Sequence, residues 1–211
     1  MKDIVIVGAG GFGREVAWLI EDINKEKKEW NIIGFVDDNA SIQNSKINGY
    51  SVVGNIDWLK KQELHVVNAI GDPLIKKEVI KKLDNSKNSY PVLIHPSVIY
   101  SDRIDFGEGT IICAATILTT DIEIGRHVII NLDCTIGHDA KINDFSTILP
   151  SVNVSGFTRI SECVSVGTGT AIIQGISIGE NTVIGAGATV VKDLPANCTA
   201  VGSPAKPIKY S

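Results

Sequence analysis

"IINLDCTIGHDAKINDFSTILPSVNV", residues 129–154, decides the fold. Stepping through it by six gives Ile130, Ile136, Ile142, Ile148 and Val154. The same step runs outward without a slip, from Tyr100, Phe106, Ile112, Leu118 and Ile124 to Ile160, Val166, Ile172, Ile178, Ile184 and Val190. Four residues after each large position comes a smaller or β-branched one, among them Thr110, Cys134, Ala140, Ser146, Val152 and Thr158. A six-residue period rich in β-branched side chains puts one hexad on each flat side of a coil. Three hexads close a triangular turn, so the stretch makes about five coils of a β-solenoid. The large residue is expected to fill the interior and the smaller one to sit where the corner narrows. Glycines directly after the aliphatic residue (Gly125, Gly137, Gly167, Gly179, Gly185) are expected to give the corners backbone freedom.

Upstream of the solenoid the pattern is different. "DIVIVGAG" is a short apolar run ending in glycines, as a buried parallel strand requires. "GREVAWLIEDINKEKKEW" then spaces Val16, Leu19, Ile20 and Ile23 as a helix does. "NIIGFVDD" and "HVVNAIGD" read as further strands, and "PLIKKEVIKKLDN" as a helix with Pro73 in its first turn. Alternating strand and helix predicts a small Rossmann-like parallel α/β sheet over residues 1–92, followed by the solenoid over 93–211. "GAGGFG", Gly8 to Gly13, fits G-x-G-x-x-G between strand and helix, where backbone N–H groups can hold phosphate. A nicotinamide dinucleotide site would use Asp37 or Asp38 on the ribose, but the α/β part is about half the usual size for such a fold.

Composition narrows the classes further. With 44% hydrophobic and 21% charged residues, the chain reads as a soluble globular protein. A net charge of −4 offers no general attraction to nucleic acid or to an anionic membrane. No apolar run approaches the roughly 20 residues of a membrane span, and the N-terminal run is too short for a signal peptide. The chain is therefore expected to be cytoplasmic. Cys113, Cys134, Cys163 and Cys198 show no CxxC spacing, so packed, reduced thiols are expected and no metal site.

The hexads, with the ending "IGAGATVVKDLPANCTAVGSPAK", resemble the hexapeptide-repeat acyltransferases. With "IVIVGAGGFGREV", "FVDD", "NAIGD" and "IHPS" ahead of them, the whole chain resembles the branch of sugar O-/N-acyltransferases that includes UDP-4-amino-sugar N-acetyltransferases and sialic acid O-acetyltransferases. The resemblance implies a left-handed parallel β-helix, a homotrimer with active sites between subunits, acetyl-CoA as acyl donor and a nucleotide sugar as acceptor. It implies nucleotide-sugar contacts at Gly10, Gly11, Phe12, Asp37, Asp38 and Gly71. Coenzyme contacts are implied at Thr147, Gly167, Thr168, Gly185, Ala186, Gly187 and Lys206, with Gly202 and Pro204 over the coenzyme's end.

His138 breaks the small and aliphatic pattern of the quoted stretch. Ile136 points inward and Gly137 turns the corner, so His138 and Asp139 are on the outside. An acidic neighbour can hold an imidazole and raise its basicity. By resemblance His138 is the general base, Asp139 its support, and Asn131 near the acceptor sugar. A backbone N–H at Gly156 is expected to meet the oxyanion. No cysteine or serine is placed as a nucleophile beside a base, which favours direct transfer in a ternary complex. The implied activity is N-acetylation of a nucleotide-linked 4-amino-4,6-dideoxy sugar, with UDP favoured over dTDP or GDP. O-Acetylation of sialic acid is the runner-up. A zinc carbonic anhydrase on the same solenoid needs three converging imidazoles, and the repeats hold His127 and His138 alone. A non-catalytic binding protein is the remaining alternative. His127 is expected to be structural or merely exposed, and His65 and His95 are assigned no chemistry.

Overall fold

The computed structural model describes residues 1–84 and 86–210. β1 (Lys2–Val7), β2 (Trp30–Val36), β3 (Lys46–Ile47), β4 (Tyr50–Gly54) and β5 (His65–Asn68) form one sheet in the order β3-β4-β2-β1-β5. All pairs are parallel except the edge hairpin β3–β4. Helix α1 (Gly11–Glu26) buries Val16, Leu19 and Ile20, the stripe its spacing predicts. The short α2 (Ile56–Leu59) is capped by Asn55, whose side chain accepts from the Trp58 N–H. Helix α3 (Pro73–Leu83) starts on Asp72, which accepts from the N–H groups of Leu74 and Ile75. The sequence pattern reveals neither the hairpin nor α2, because both are too short to show a period. Among the described residues no helix is long and apolar enough to cross a membrane.

From Leu93 onward the chain winds as a β-helix with three faces. Strands pair in parallel with the strand 18 residues later, as Ile117 does with Thr135, so one coil is three hexads. Face one begins with Leu93–Ile94 and continues through 111–112, 129–130, 147–148, 165–166 and 183–184 to a closing hairpin, Cys198–Val201 with Lys206–Tyr210. Face two holds 99–100, 117–118, 135–136, 153–154, 171–172 and 189–190; face three holds 104–106, 122–124, 141–142, 159–160 and 177–178. From Ile112 to Val190 the large position of every hexad is buried in one continuous core. Tyr100 and Phe106 differ: no coil lies beneath them, and they meet edge to face at the open end, partly exposed. The smaller positions are buried too. Their hydroxyls tie coil to coil: Thr110, Thr116, Ser146 and Thr170 each donate to the carbonyl 15 residues on, which removes the penalty of a buried hydroxyl.

The glycines do something other than expected. Gly125, Gly137, Gly167, Gly179 and Gly185 all have ordinary φ. A Cβ on Gly125, Gly137, Gly167 or Gly185 would lie 2.5–2.7 Å from atoms of the next coil, and one on Gly179 would run into Ala196. They are glycine because coils approach closely there. The left-handed turn comes two residues later and falls mostly on other types, including Ala115, Asp121, Asp133, Asp139, Ser151 and Asn181.

The faces differ in what covers them. Face one lies under the N-terminal domain, where Ile111, Cys113 and Ile129 join the core of α1. Face three carries Asp105, Glu123, Lys141 and Arg159 outward, with an ion pair between Lys141 and Glu123. Face two points Ile99, Ile117, Thr135, Asn153, Ala171 and Thr189 outward, without a charge; the closing segment meets its Thr189 end through Ser203, and among the described residues the rest of the face is left open.

Candidate functional site

The corner from face two to face three holds His138. Its Nδ1 is 2.8 Å from Asp139 Oδ2. The short aspartate arm reaches from the left-handed position Asp139 occupies (φ 58°), with its carboxylate turned back toward the ring. A carboxylate accepts from Nδ1–H, which leaves the Nε2 lone pair as the free basic site. The imidazole is half exposed (49%). Gly156 lies one coil above, and a Cβ there would sit 2.7 Å from His138 Cε1 and 2.8 Å from Nε2. The ring therefore rests where a side chain would otherwise be. The Gly156 N–H has no hydrogen-bond acceptor among the described residues. Phe157 completes the corner, edge-on to the imidazole at 5.0 Å.

A second group lines the corner from face one to face two. Gly167 and Thr168 lie one coil below Gly185, Ala186 and Gly187, in 18-residue register. The Gly187 N–H donates to the Thr168 carbonyl, and a Cβ on Gly187 would meet nothing within 4 Å. Gly202 and Lys206 belong to the closing hairpin above them, and Lys206 is exposed. Asn131 lies on the same corner two coils below Gly167, buried, with Oδ1 accepting from the Leu132 N–H. One chain thus holds His138 and Asn131 on different corners, with face two between them.

Thr147 has to be corrected. It faces out from face one, but α3 covers it and its exposure is 1%. Its hydroxyl accepts from the fully buried Lys76 Nζ at 3.0 Å, so it has no open surface to offer a coenzyme. Lys76 also donates to the Ser146 carbonyl, and burial pushes its pKa down to about 7. Lys76 was legible as an anomaly: it lies on the apolar stripe of α3 with Val79, Ile80 and Leu83.

The glycine loop sorts into two kinds of position. Gly8 has φ +94°, and a Cβ on Gly13 would collide with the Gly8 carbonyl, so the fold itself requires both. Gly10 and Gly11 have ordinary φ and no contact that a Cβ would crowd. Their bareness serves nothing inside the chain and leaves the uncapped N-terminus of α1 approachable. Phe12 is half-buried and packs on the core cluster that Leu132, next to Asn131, also borders. Asp37 Oδ2 accepts from the Ala9 N–H and Oδ1 from the Asn39 N–H; Asp38 accepts from the Ile56 N–H. Both carboxylates therefore shape the loops they sit in. A cleft of about 260 Å³ opens beyond the strand ends, lined by Gly8, Asp37, Asp38, Ile70, Glu78 and Lys82. Gly71 lies just before α3, exposed and uncrowded. A larger cleft, about 960 Å³, lies around Trp30, His65 and Tyr100 and contains none of these residues.

Residues 3–83 match the PglD N-terminal domain family. Over 98% of this chain and 99% of the other, the structure has a TM-score of 0.89 and 31% identity to the acetyltransferase domain of PglB from Neisseria gonorrhoeae FA1090, solved with acetyl coenzyme A. The chain belongs to the hexapeptide-repeat sugar N-acetyltransferases. Within that family it is also similar to a histidine variant of perosamine N-acetyltransferase from Caulobacter crescentus, solved with CoA and GDP-perosamine. There the TM-score is 0.90 with 29% identity, over 99% of this chain and 98% of that one. A curated relative, UDP-N-acetylbacillosamine N-acetyltransferase of Bacillus subtilis (strain 168), is 32% identical over 118 residues. That match spans 54% of this chain and 52% of the relative, about half of its length.

The remaining histidines and the cysteines are packed or hydrogen-bonded within the chain. His127 is buried, with its ring stacked on Phe145. Among the described residues no three His, Cys, Asp or Glu side chains are grouped to hold a metal ion. His95 bonds Asp22 and Ser97, and His65 bonds Ser89. All four cysteines are buried and unbridged, and burial pushes Cys113 up to about 12 and Cys134 up to about 11.

Proposed function

We propose that this chain transfers the acetyl group of acetyl-CoA to the 4-amino group of a nucleotide-linked 4-amino-4,6-dideoxy sugar. The observation that carries the proposal is the His138 corner. An outward imidazole is fixed through Nδ1 by Asp139, with Nε2 beside a bare glycine whose N–H has no acceptor among the described residues. The neutral amine attacks the thioester carbonyl while Nε2 accepts its proton, and the Gly156 N–H meets the oxyanion that forms. The thiolate of CoA then leaves with the returned proton. UDP is the proposed nucleotide, by likeness to the bacillosamine enzyme; the GDP-perosamine enzyme makes GDP the arm to test beside it.

The assembly proposed is a homotrimer. Below its Thr189 end face two is open and uncharged, and its two edges are the His138 corner and the coenzyme corner. A second copy against this face brings His138 of one subunit to the Gly167, Thr168, Gly185, Ala186 and Gly187 corner of its neighbour. Gly10, Gly11, Phe12 and Asn131 would then hold the acceptor from the same side, with Asp37, Asp38 and Gly71 around the nucleotide and Lys206 near the coenzyme's end.

The test is release of CoA thiol from acetyl-CoA with UDP- and GDP-linked 4-amino-4,6-dideoxy sugars. Wild type is expected to turn over one of them, and His138→Ala to lose at least about a hundredfold. Equal rates for the two proteins would remove His138 as the base, and no release with any amino sugar would remove the proposal.

A further inference from the structure

We propose that Phe157 is a specificity-determining residue whose ring is the wall against which the acceptor's C6 methyl rests. This rests on the functional reading above and names the part of the acceptor that the chain recognises beside the reacting amine.

Phe157 has φ 58°, the left-handed region that bulky side chains avoid. Most left-handed positions of the solenoid are glycine or short residues. The other large ones are His127 and Phe145, and both are buried under α3, where packing offsets the strain. Phe157 has no such compensation: it is 50% exposed. Its place in the coil register is Asp121, Asp139, Phe157, Gly175, so neighbouring coils meet the same turn with an aspartate or a glycine. An aromatic held in an unfavourable conformation on open surface, 5.0 Å from the base, points to a contact made outside the chain. Gly175, one coil above, has φ +76° and leaves the space over its Cα empty. The ring therefore keeps a free side next to the imidazole.

The chemistry of the acceptor selects what meets that side. With Nε2 at the 4-amine, a ring this close to the imidazole meets the substituents on the adjacent sugar carbons. A substituent that needs a hydrogen bond gains nothing from a phenyl ring. The methyl on carbon 5 of a 6-deoxy sugar needs none. A 6-hydroxy sugar would lay a hydroxyl against the ring without a partner, which disfavours it.

The experiment compares kcat/KM and calorimetric affinity for a 4-amino-4,6-dideoxyglucose and its 6-hydroxy counterpart, each on UDP and on GDP. Wild type, Phe157→Leu and Phe157→Ala are compared. Wild type is expected to favour the 6-deoxy sugar by about 10- to 100-fold. Phe157→Ala is expected to lose rate on the 6-deoxy sugar, bring the ratio to about twofold and leave KM for acetyl-CoA unmoved; Phe157→Leu keeps part of the preference. A ratio unchanged in Phe157→Ala overturns the inference while wild-type turnover still upholds the functional reading. So does a loss of trimer mass or of Tm with unchanged acceptor parameters, which would make the ring a subunit contact. A wild type that neither binds nor acetylates any of the four sugars overturns both.

Discussion

Two corners of one solenoid pair a histidine with a phenylalanine, and they differ in what lies over them. At His127 the ring stacks nearly parallel (11°) on Phe145, Tyr90 closes the edge, and Ile80 of α3 packs on Phe145. The imidazole is 3% exposed and its Nδ1 has no partner among the described residues. Burial, then the charges of Lys76 and Arg126, pushes its pKa down to about 4. At His138 the phenylalanine stands edge-on, no helix covers the corner, and Asp139 holds Nδ1. The same hexad grammar produces both. Cover turns one into packing, and its lack leaves the other available for proton transfer.

The largest expected effect that sharpens this contrast comes from Gly156→Ala. The new methyl would fall within 2.8 Å of the His138 ring and push it aside. A displacement on the order of 1 Å at a base costs about a hundredfold in kcat, with thermal stability nearly unchanged. Steady-state kinetics with acetyl-CoA and the amino-sugar acceptor would show it, and wild-type kcat in this variant would mean that the imidazole is not held against Gly156 during turnover.

A middle effect belongs to His127. An unfolded imidazole titrates near the ordinary 6.5 and the folded one near 4, so the unfolded state binds the proton first as pH falls. Wild type is thus fully stable with respect to this group above about pH 6.5 and loses stability toward pH 4. His127→Leu removes that slope, so urea midpoints of the two proteins should diverge between those limits in favour of the variant. Activity at pH 8 should stay within about twofold. A fall in activity like that of His138→Ala would erase the distinction between the corners.

The smallest effect concerns Thr147. Thr147→Val removes one of the two acceptors of Lys76 Nζ and should cost about 1–2 kcal/mol in urea unfolding. KM for acetyl-CoA should not move, because the side chain is covered. A severalfold rise in KM would return Thr147 to the coenzyme groove.

The interior of the molecule was legible residue by residue. Buried hexad positions from Ile112 to Val190 follow the series of six, and Val16, Leu19 and Ile20 follow the helical stripe. His138 beside Asp139 was legible as well, because an outward polar pair breaks an inward apolar pattern. Phe157 had a signal that a period of six conceals: only on the 18-residue coil does it fall one level above Asp139. The glycines after the aliphatic residues were visible, but their reason was not. Close approach between coils and a left-handed turn both select glycine, and composition does not separate them.

What the sequence by itself determined is periodic: β-helix, parallel α/β sheet, and which residues face in or out, since alternation within a strand and spacing along a helix are local properties. What only the tertiary structure decided is cover. Whether α3 lies over Thr147 and His127, whether nothing lies over His138 and Phe157, and whether Lys76 ends buried all depend on how the N-terminal domain packs on face one. Burial by a distant segment sets exposure, pKa and access together, and a local pattern carries no record of it.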